Sequence, residues 1–209
     1  MMSTCTNKRE ASESYWAQAM YDCLQNMATQ NTNAVLLMFD DVSSIEVERH
    51  YPEAGMLFGN NQWRVFYHCH QADNTQLNEH GHFHIFTTTD DTQWAHVAGL
   101  VMDDNGQPQN WFAVNRWVTG GPWLTHDDFL KKLEHNADCS SDELAGKWLY
   151  AMLHLYQHEL DELLLQRTTY LKQQAKTGDF RRVLEDRGLY TLATKQVDLQ
   201  LKLESSLSY

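Results

Sequence analysis

The sequence predicts an α+β fold, a four-stranded antiparallel meander with one face covered by N- and C-terminal helices. Three observations carry this reading. Apolar residues recur every three or four positions at both ends of the chain, and the period changes to two between Gln62 and Val118. Turn chemistry bounds each of the four period-two segments.

At the N-terminus, Tyr15, Trp16, Ala19, Met20, Cys23, Leu24 and Met27 form the stripe of an amphipathic helix over about residues 8–30. Val35–Phe39 is a short apolar run. From Asp40 to Asn61 the breakers Tyr51-Pro52, Gly55 and Gly59-Asn60-Asn61 predict an irregular connection. The four strands are read at Gln62–His70, Glu79–Thr88, Trp94–Met102 and Gln109–Val118. Asn105-Gly106 is the clearest hairpin turn, because it supplies the positive φ angles a tight turn needs. Asp90-Asp91 marks the turn before it, and Gln71–Asn78 is a longer polar loop.

After Gly120-Gly121-Pro122, short helices are expected at Asp127–His135 and Phe180–Asp186, with a final helix at about Leu189–Leu203. Between them a long helix is read from Ser141 to Lys176. Its 36 residues would extend ~54 Å, against an expected radius of gyration of ~17 Å. Such a helix must break, with Thr168-Thr169 as the expected weak point, or pack on a second copy in a homodimer. The organisation is a single domain over 1–209: a helix and irregular segment in 1–61, the sheet in 62–118 and a helical part in 119–209.

Composition narrows the function. Lys plus Arg number 16 and Asp plus Glu 28, a net charge of −12, which repels a polyphosphate backbone. Nucleic acid is therefore not an expected partner. Cys5, Cys23, Cys69 and Cys139 form no C-x-x-C pair, which suits a reducing compartment. Neither a signal-peptide core nor a membrane-spanning run is evident, so the expectation is a cytoplasmic protein with no membrane partner.

The chemistry-bearing signal is histidine. Strict alternation assigns Trp63, Val65, Tyr67, Cys69, Phe83, Ile85, Val97, Gly99, Val101, Phe112 and Val114 to an oily face. The other face receives His68, His70, His80, His82, His84 and His96, with Ala98, Leu100, Trp111, Ala113, Asn115 and Trp117. Alternate residues on a strand project ~6.5–7 Å apart. Residues opposite each other on paired strands have Cβ atoms ~4.5–5.5 Å apart, so His68 would face His82 and His70 would face His80. The candidate metal ligands are His68, His70, His80, His82 and His84, and the ion a divalent transition metal of the zinc, iron, nickel or copper class. Half-exposed histidines stacked on Phe66, Phe86 and Trp111 are the structural alternative. Glu79 could add a carboxylate if Gly81 marks a bulge that shifts the parity.

Trp111, Asn115 and Trp117 are the expected walls for a small-molecule ligand. Arg116, on the oily row, needs a carboxylate, and a structural ion pair is the simpler account. His154 and His158 are spaced i, i+4 and would share one side of a helix, where a solvated polar face is the simpler reading. Alternation sends Cys69 into the core, away from any nucleophilic role, and no phosphate loop or His-Glu-x-x-His is found.

The stretches Tyr67-His68-Cys69-His70, Glu79-His80-Gly81-His82-Phe83-His84 and Asn115-Arg116-Trp117-Val118-Thr119-Gly120 resemble an uncharacterised, chiefly proteobacterial family whose members are described only as domains of unknown function. The resemblance covers about Tyr51 to Gly121. It implies a cytoplasmic bacterial protein and transfers no catalytic role. A looser likeness to the cupin motif fails, because Glu79 follows His70 by nine residues and no second motif is present. Two functions stay open: a metal-dependent protein, which as an enzyme would use an open position on the ion, and a non-catalytic ligand-binding or interaction module with structural histidines.

Overall fold

A computed structural model describes residues 3–39, 46–47, 49–69, 79–90, 93–135, 143–175 and 178–208, with backbone alone for 3–12, 90 and 135. His70, the loop 71–78 and the helix start expected at Ser141 lie outside the described residues.

The fold is α+β, with six antiparallel strands rather than four, in sequential order. They are β1 (Tyr51–Phe58), β2 (Trp63–His68), β3 (Gly81–Asp90), β4 (Gln93–Met102), β5 (Pro108–Val114) and β6 (Thr191–Gln196). Helix α1 (Ser3–Thr29) precedes the sheet. Between β5 and β6 come α2 (Arg116–Thr119), α3 (His126–His135), α4 (Leu144–Leu155), α5 (Gln157–Ala175) and α6 (Phe180–Leu184), and α7 (Leu199–Leu207) ends the described chain.

The two extra strands fall where the sequence predicted an irregular segment and a helix. β1 holds Pro52 and Gly55, and its register with β2 shifts between Tyr51 and Met56, so breaker residues sit in an irregular edge strand. In β6, Thr191-Leu192-Ala193-Thr194 pairs with β5 and buries Leu192. Its neighbour supplies the hydrogen bonds that outweigh weak helical spacing. The helical part of that prediction survives as α7, capped by Asp198, whose side chain accepts from the Leu201 N–H at 2.9 Å.

The long helix breaks at Tyr156 rather than at Thr168-Thr169. Thr168 stays helical, its hydroxyl donating to the Leu164 carbonyl at 3.0 Å. Tyr156, at φ −103°, ends α4 and lets α5 begin in a new direction. The break removes the length argument for a second copy. α3 starts one residue earlier than expected, where the Thr125 hydroxyl accepts from the Asp128 N–H at 3.1 Å and donates to the Asp128 carboxylate at 2.7 Å.

One sheet face packs on helices. Trp63, Val65, Tyr67, Phe83, Ile85, Leu100 and Trp111 join Trp16, Met20 and Met27 of α1 and Trp148, Leu149 and Met152 of α4 in one buried core. The expected stripe of α1 holds except at Tyr15, which is 65% exposed. The turn at Asn105-Gly106 joins β4 to β5 as predicted. Gly106 has φ +73°, and the Asp103 carboxylate accepts from the N–H groups of Asn105 and Gln107 at 2.9 and 2.8 Å.

The faces of β4 and β5 require correction. Ile85 pairs with Ala98 while Phe86 pairs with His96, so Val97 is an extra residue in β4. Parity therefore flips across it. His96 stays on the histidine face, but Ala98 and Leu100 turn to the core, and Gly99 and Val101 come to lie beside His84 and His82. β5 inherits the flip: Phe112 pairs with Gly99 and Trp111 with Leu100. Phe112 and Val114 thus lie opposite the helices, whereas Trp111 and Ala113 are core residues.

Candidate metal centre

The register of β2 and β3 brings the site together. His68 pairs directly with His82, and Phe66 pairs with His84. Their rings lie close, with centroids 4.4 Å apart for His68 and His82, 5.1 Å for His68 and His84 and 4.7 Å for His82 and His84. One ligand nitrogen from each falls within 4.8 Å of the other two, and all three residues are buried. The triad lies close enough to hold one metal ion.

Gly99 shapes the wall of this site. A Cβ there would sit 2.0 Å from the Phe112 ring, so only glycine lets Phe112 cross the sheet toward the histidines. The Phe112 ring meets His82 and His84 edge-on, with centroids at 4.9 and 5.8 Å. Phe66 packs beside His84, and His50 stacks on Phe66 at 3.8 Å. His50 also lies 5.5 Å from His68 between ring centroids. Its place before the Tyr51-Pro52 breaker concealed it in the sequence.

The triad is held from behind. Nδ1 of His82 lies 2.9 Å from the Glu79 carboxylate, and Nδ1 of His84 lies 3.0 Å from Nε2 of His96. On the near side, the Nε2 atoms of His82 and His84 are 3.1 Å apart. Two nitrogens ~2.0–2.1 Å from a shared tetrahedral zinc would stand about 3.4 Å apart, so the observed spacing fits a chelating pair. Glu79 therefore reaches the cluster through His82, with no bulge at Gly81.

Ligation requires a neutral imidazole. Burial pushes His84 well below the usual imidazole range, helped by His96, His82, His68 and His50. Complete burial takes His96 down to about 3, with the Arg167 guanidinium adding to the shift.

His80 is not brought to the triad. β3 starts at Gly81, and His80 turns to the core side, where its Nδ1 lies 2.7 Å from the Tyr67 hydroxyl. Burial raises the Tyr67 pKa, so its hydroxyl keeps its proton at this contact. Gly81 permits the contact, since a Cβ would stand 2.7 Å from the Tyr67 oxygen and 2.4 Å from the His68 carbonyl. Cys69 is buried in the core beside them, with its thiol pKa raised by burial.

The three expected pocket walls lie elsewhere. Trp111 is a core residue. Asn115 caps α2 by accepting from the Arg116 N–H at 2.8 Å and donates to the Val183 carbonyl at 2.8 Å. Trp117 donates to the Leu189 carbonyl at 2.9 Å. Arg116 forms the expected ion pair, with Glu185. His154 and His158 are separated by the break at Tyr156. His158 is exposed beside Glu162 at 3.3 Å, whereas His154 stacks on Trp16 at 3.9 Å and is not on a solvated face.

Residues 14–197 match a protein family described as a domain of unknown function, DUF6969. The chain belongs to DUF6969. No curated protein and no solved structure matches it. Its strands β1 to β6, and the histidine triad with them, all lie within the matched segment. Among the described residues of this DUF6969 chain, no helix is long and apolar enough to cross a membrane.

Proposed function

We propose that this protein binds a divalent transition metal through His68, His82 and His84 and uses an open coordination position for chemistry on a small molecule. The observation that carries the reading is the short approach of two Nε2 atoms whose distal nitrogens are already engaged. If His82 and His84 donate their Nδ1–H groups to Glu79 and His96, both Nε2 lone pairs point at each other. Such lone pairs repel, and a cation between them relieves the repulsion. A carboxylate behind a ligand, as Glu79 stands behind His82, is what metal-binding histidines use to fix their tautomer and ring plane. Imidazole ligands suit zinc, copper, iron and nickel. A metal with an open position supplies Lewis acidity and lowers the pKa of bound water.

The same distances favour one second reading. If His96 Nε2–H donates to His84 and His84 Nε2–H donates to His82, a metal-free hydrogen-bonded chain runs to Glu79. The histidines are then structural, and the protein is a binding or interaction module.

Metal analysis of untagged protein separates these readings. We expect near-stoichiometric metal, lost on changing His68 and His82 to alanine and kept on changing His154 and His158 to alanine. Metal-free protein that takes up no added zinc, iron, nickel or copper would establish the hydrogen-bonded chain instead. Tight binding retained after loss of His68 and His82 would reject this ligand set.

A further inference from the structure

Beyond the triad, a narrow cavity is lined by His96, Arg116, Thr119, Gly120, Trp123 and Arg167. Arg167 is the decisive residue. It is 2% exposed, yet no carboxylate pairs with it among the described residues. Its guanidinium donates from Nη2 to the Leu124 carbonyl and lies 3.8 Å from the Trp123 ring centre. Nε of Arg167 is buried without a hydrogen-bond partner.

Two further buried nitrogens on the lining share that condition, Nδ1 of His96 and Nε of Arg116. Glu185 occupies Nη2 of Arg116, and Nη1 reaches the Gly121 carbonyl at 3.5 Å, so Glu185 does not neutralise Arg167. A buried guanidinium without an anion is expensive, and each unmatched donor adds to the cost. The space open to the centre of a water-sized sphere is about 10 Å³, enough for one atom of that size. Gly120, at φ +68°, leaves the adjoining side open, since a Cβ there would meet nothing within 4 Å.

We infer that this cavity is a site for one small anionic atom, held by Arg167 and Arg116: a free halide, or one oxygen of a carboxylate reaching in from solvent. Arg167 supplies the uncompensated charge. The Arg116 Nε–H is a second donor, and Trp123 fixes the Arg167 guanidinium plane by stacking. The assignment stands on the two arginines and does not depend on whether the triad holds a metal. Burial lowers the Arg167 pKa to about 9, still leaving it cationic at neutral pH.

The probes are sodium bromide and sodium formate, titrated into halide-free protein while Trp123-dependent fluorescence is followed. Wild-type protein should show a response that saturates below about 100 mM, and the two probes should compete. Formate binding the tighter would identify a carboxylate head as the natural occupant, and bromide the tighter a free halide. Arg167→Met should weaken binding about tenfold or more, the loss of a charge-assisted contact. Arg116→Gln should weaken it about threefold and, if the Arg167 variant does not fold, is the deciding variant. Crystals grown in bromide should show an anomalous peak between the two guanidinium groups. A non-saturable response to both probes, wild-type affinity in the deciding variant, or bromide peaks only elsewhere would each overturn the site.

Discussion

Glu79 illustrates how a residue can be essential to a site without joining it. It precedes β3, and its carboxylate meets Nδ1 of His82 at 2.9 Å. A carboxylate there raises the basicity of the ring and fixes its plane, and losing such a partner costs about 10–100-fold in metal affinity. Glu79→Ala should therefore weaken metal binding by that factor in a chelator competition while the unfolding temperature moves little. Equal affinity in the variant would detach Glu79 from the site. The His68–His82 pairing was legible because both lie on regular paired strands with period two. Glu79 and His80 were misplaced for the converse reason: they precede the strand, so alternation does not govern their side chains. His96 kept its face, and its contact with His84 is a cross-strand relation that no spacing in one segment reveals.

At the scale of the elements, one inserted residue decides which side chains see the histidines. Val97 is the extra residue of β4, and strict alternation carried past it inverts everything that follows through β5. Bulges leave little mark in a sequence, so Trp111 and Phe112 exchanged faces in the reading of the sequence. β1 and β6 were missed because partners elsewhere in the chain stabilise them, and a short edge segment carries little propensity of its own. Gly81 is where element geometry and site meet. A methyl group would stand 2.4 Å from the His68 carbonyl, so Gly81→Ala must push β3 away from β2 at the His68–His82 pair. Overpacking of this kind costs about 1–3 kcal/mol. The variant should lose that much stability in urea titration and also bind metal more weakly. Loss of stability with unaltered metal affinity would show that the pair tolerates the displacement.

Across the whole molecule, the sheet presents one face to the helical core and the other to the histidines. Closing the core depends on α1 docking on α4, and at that contact His154 stacks on Trp16 and meets Tyr150 edge-on. The alternation of helical ends and a strand-rich middle made the α+β class legible; the environment of His154 was not, because i, i+4 spacing ignores the break at Tyr156 and the helix that covers the ring. Burial lowers the His154 pKa to about 3, and no charged neighbour contributes. An unfolded chain titrates this group near ~6.5, so between pH 6.5 and 3 the unfolded state binds a proton that the native state refuses. Stability is therefore full above about pH 6.5 and falls as the pH drops, by about 2 kcal/mol at pH 5 from this residue alone. His154→Phe removes the titration, keeps an aromatic ring against Trp16 and eliminates the unpartnered Nε2. Denaturant unfolding at pH 7 and pH 5 should show the wild type losing about 2 kcal/mol more than the variant over that interval. Equal losses in the two proteins would mean that the ring accepts its proton without leaving the α1–α4 contact.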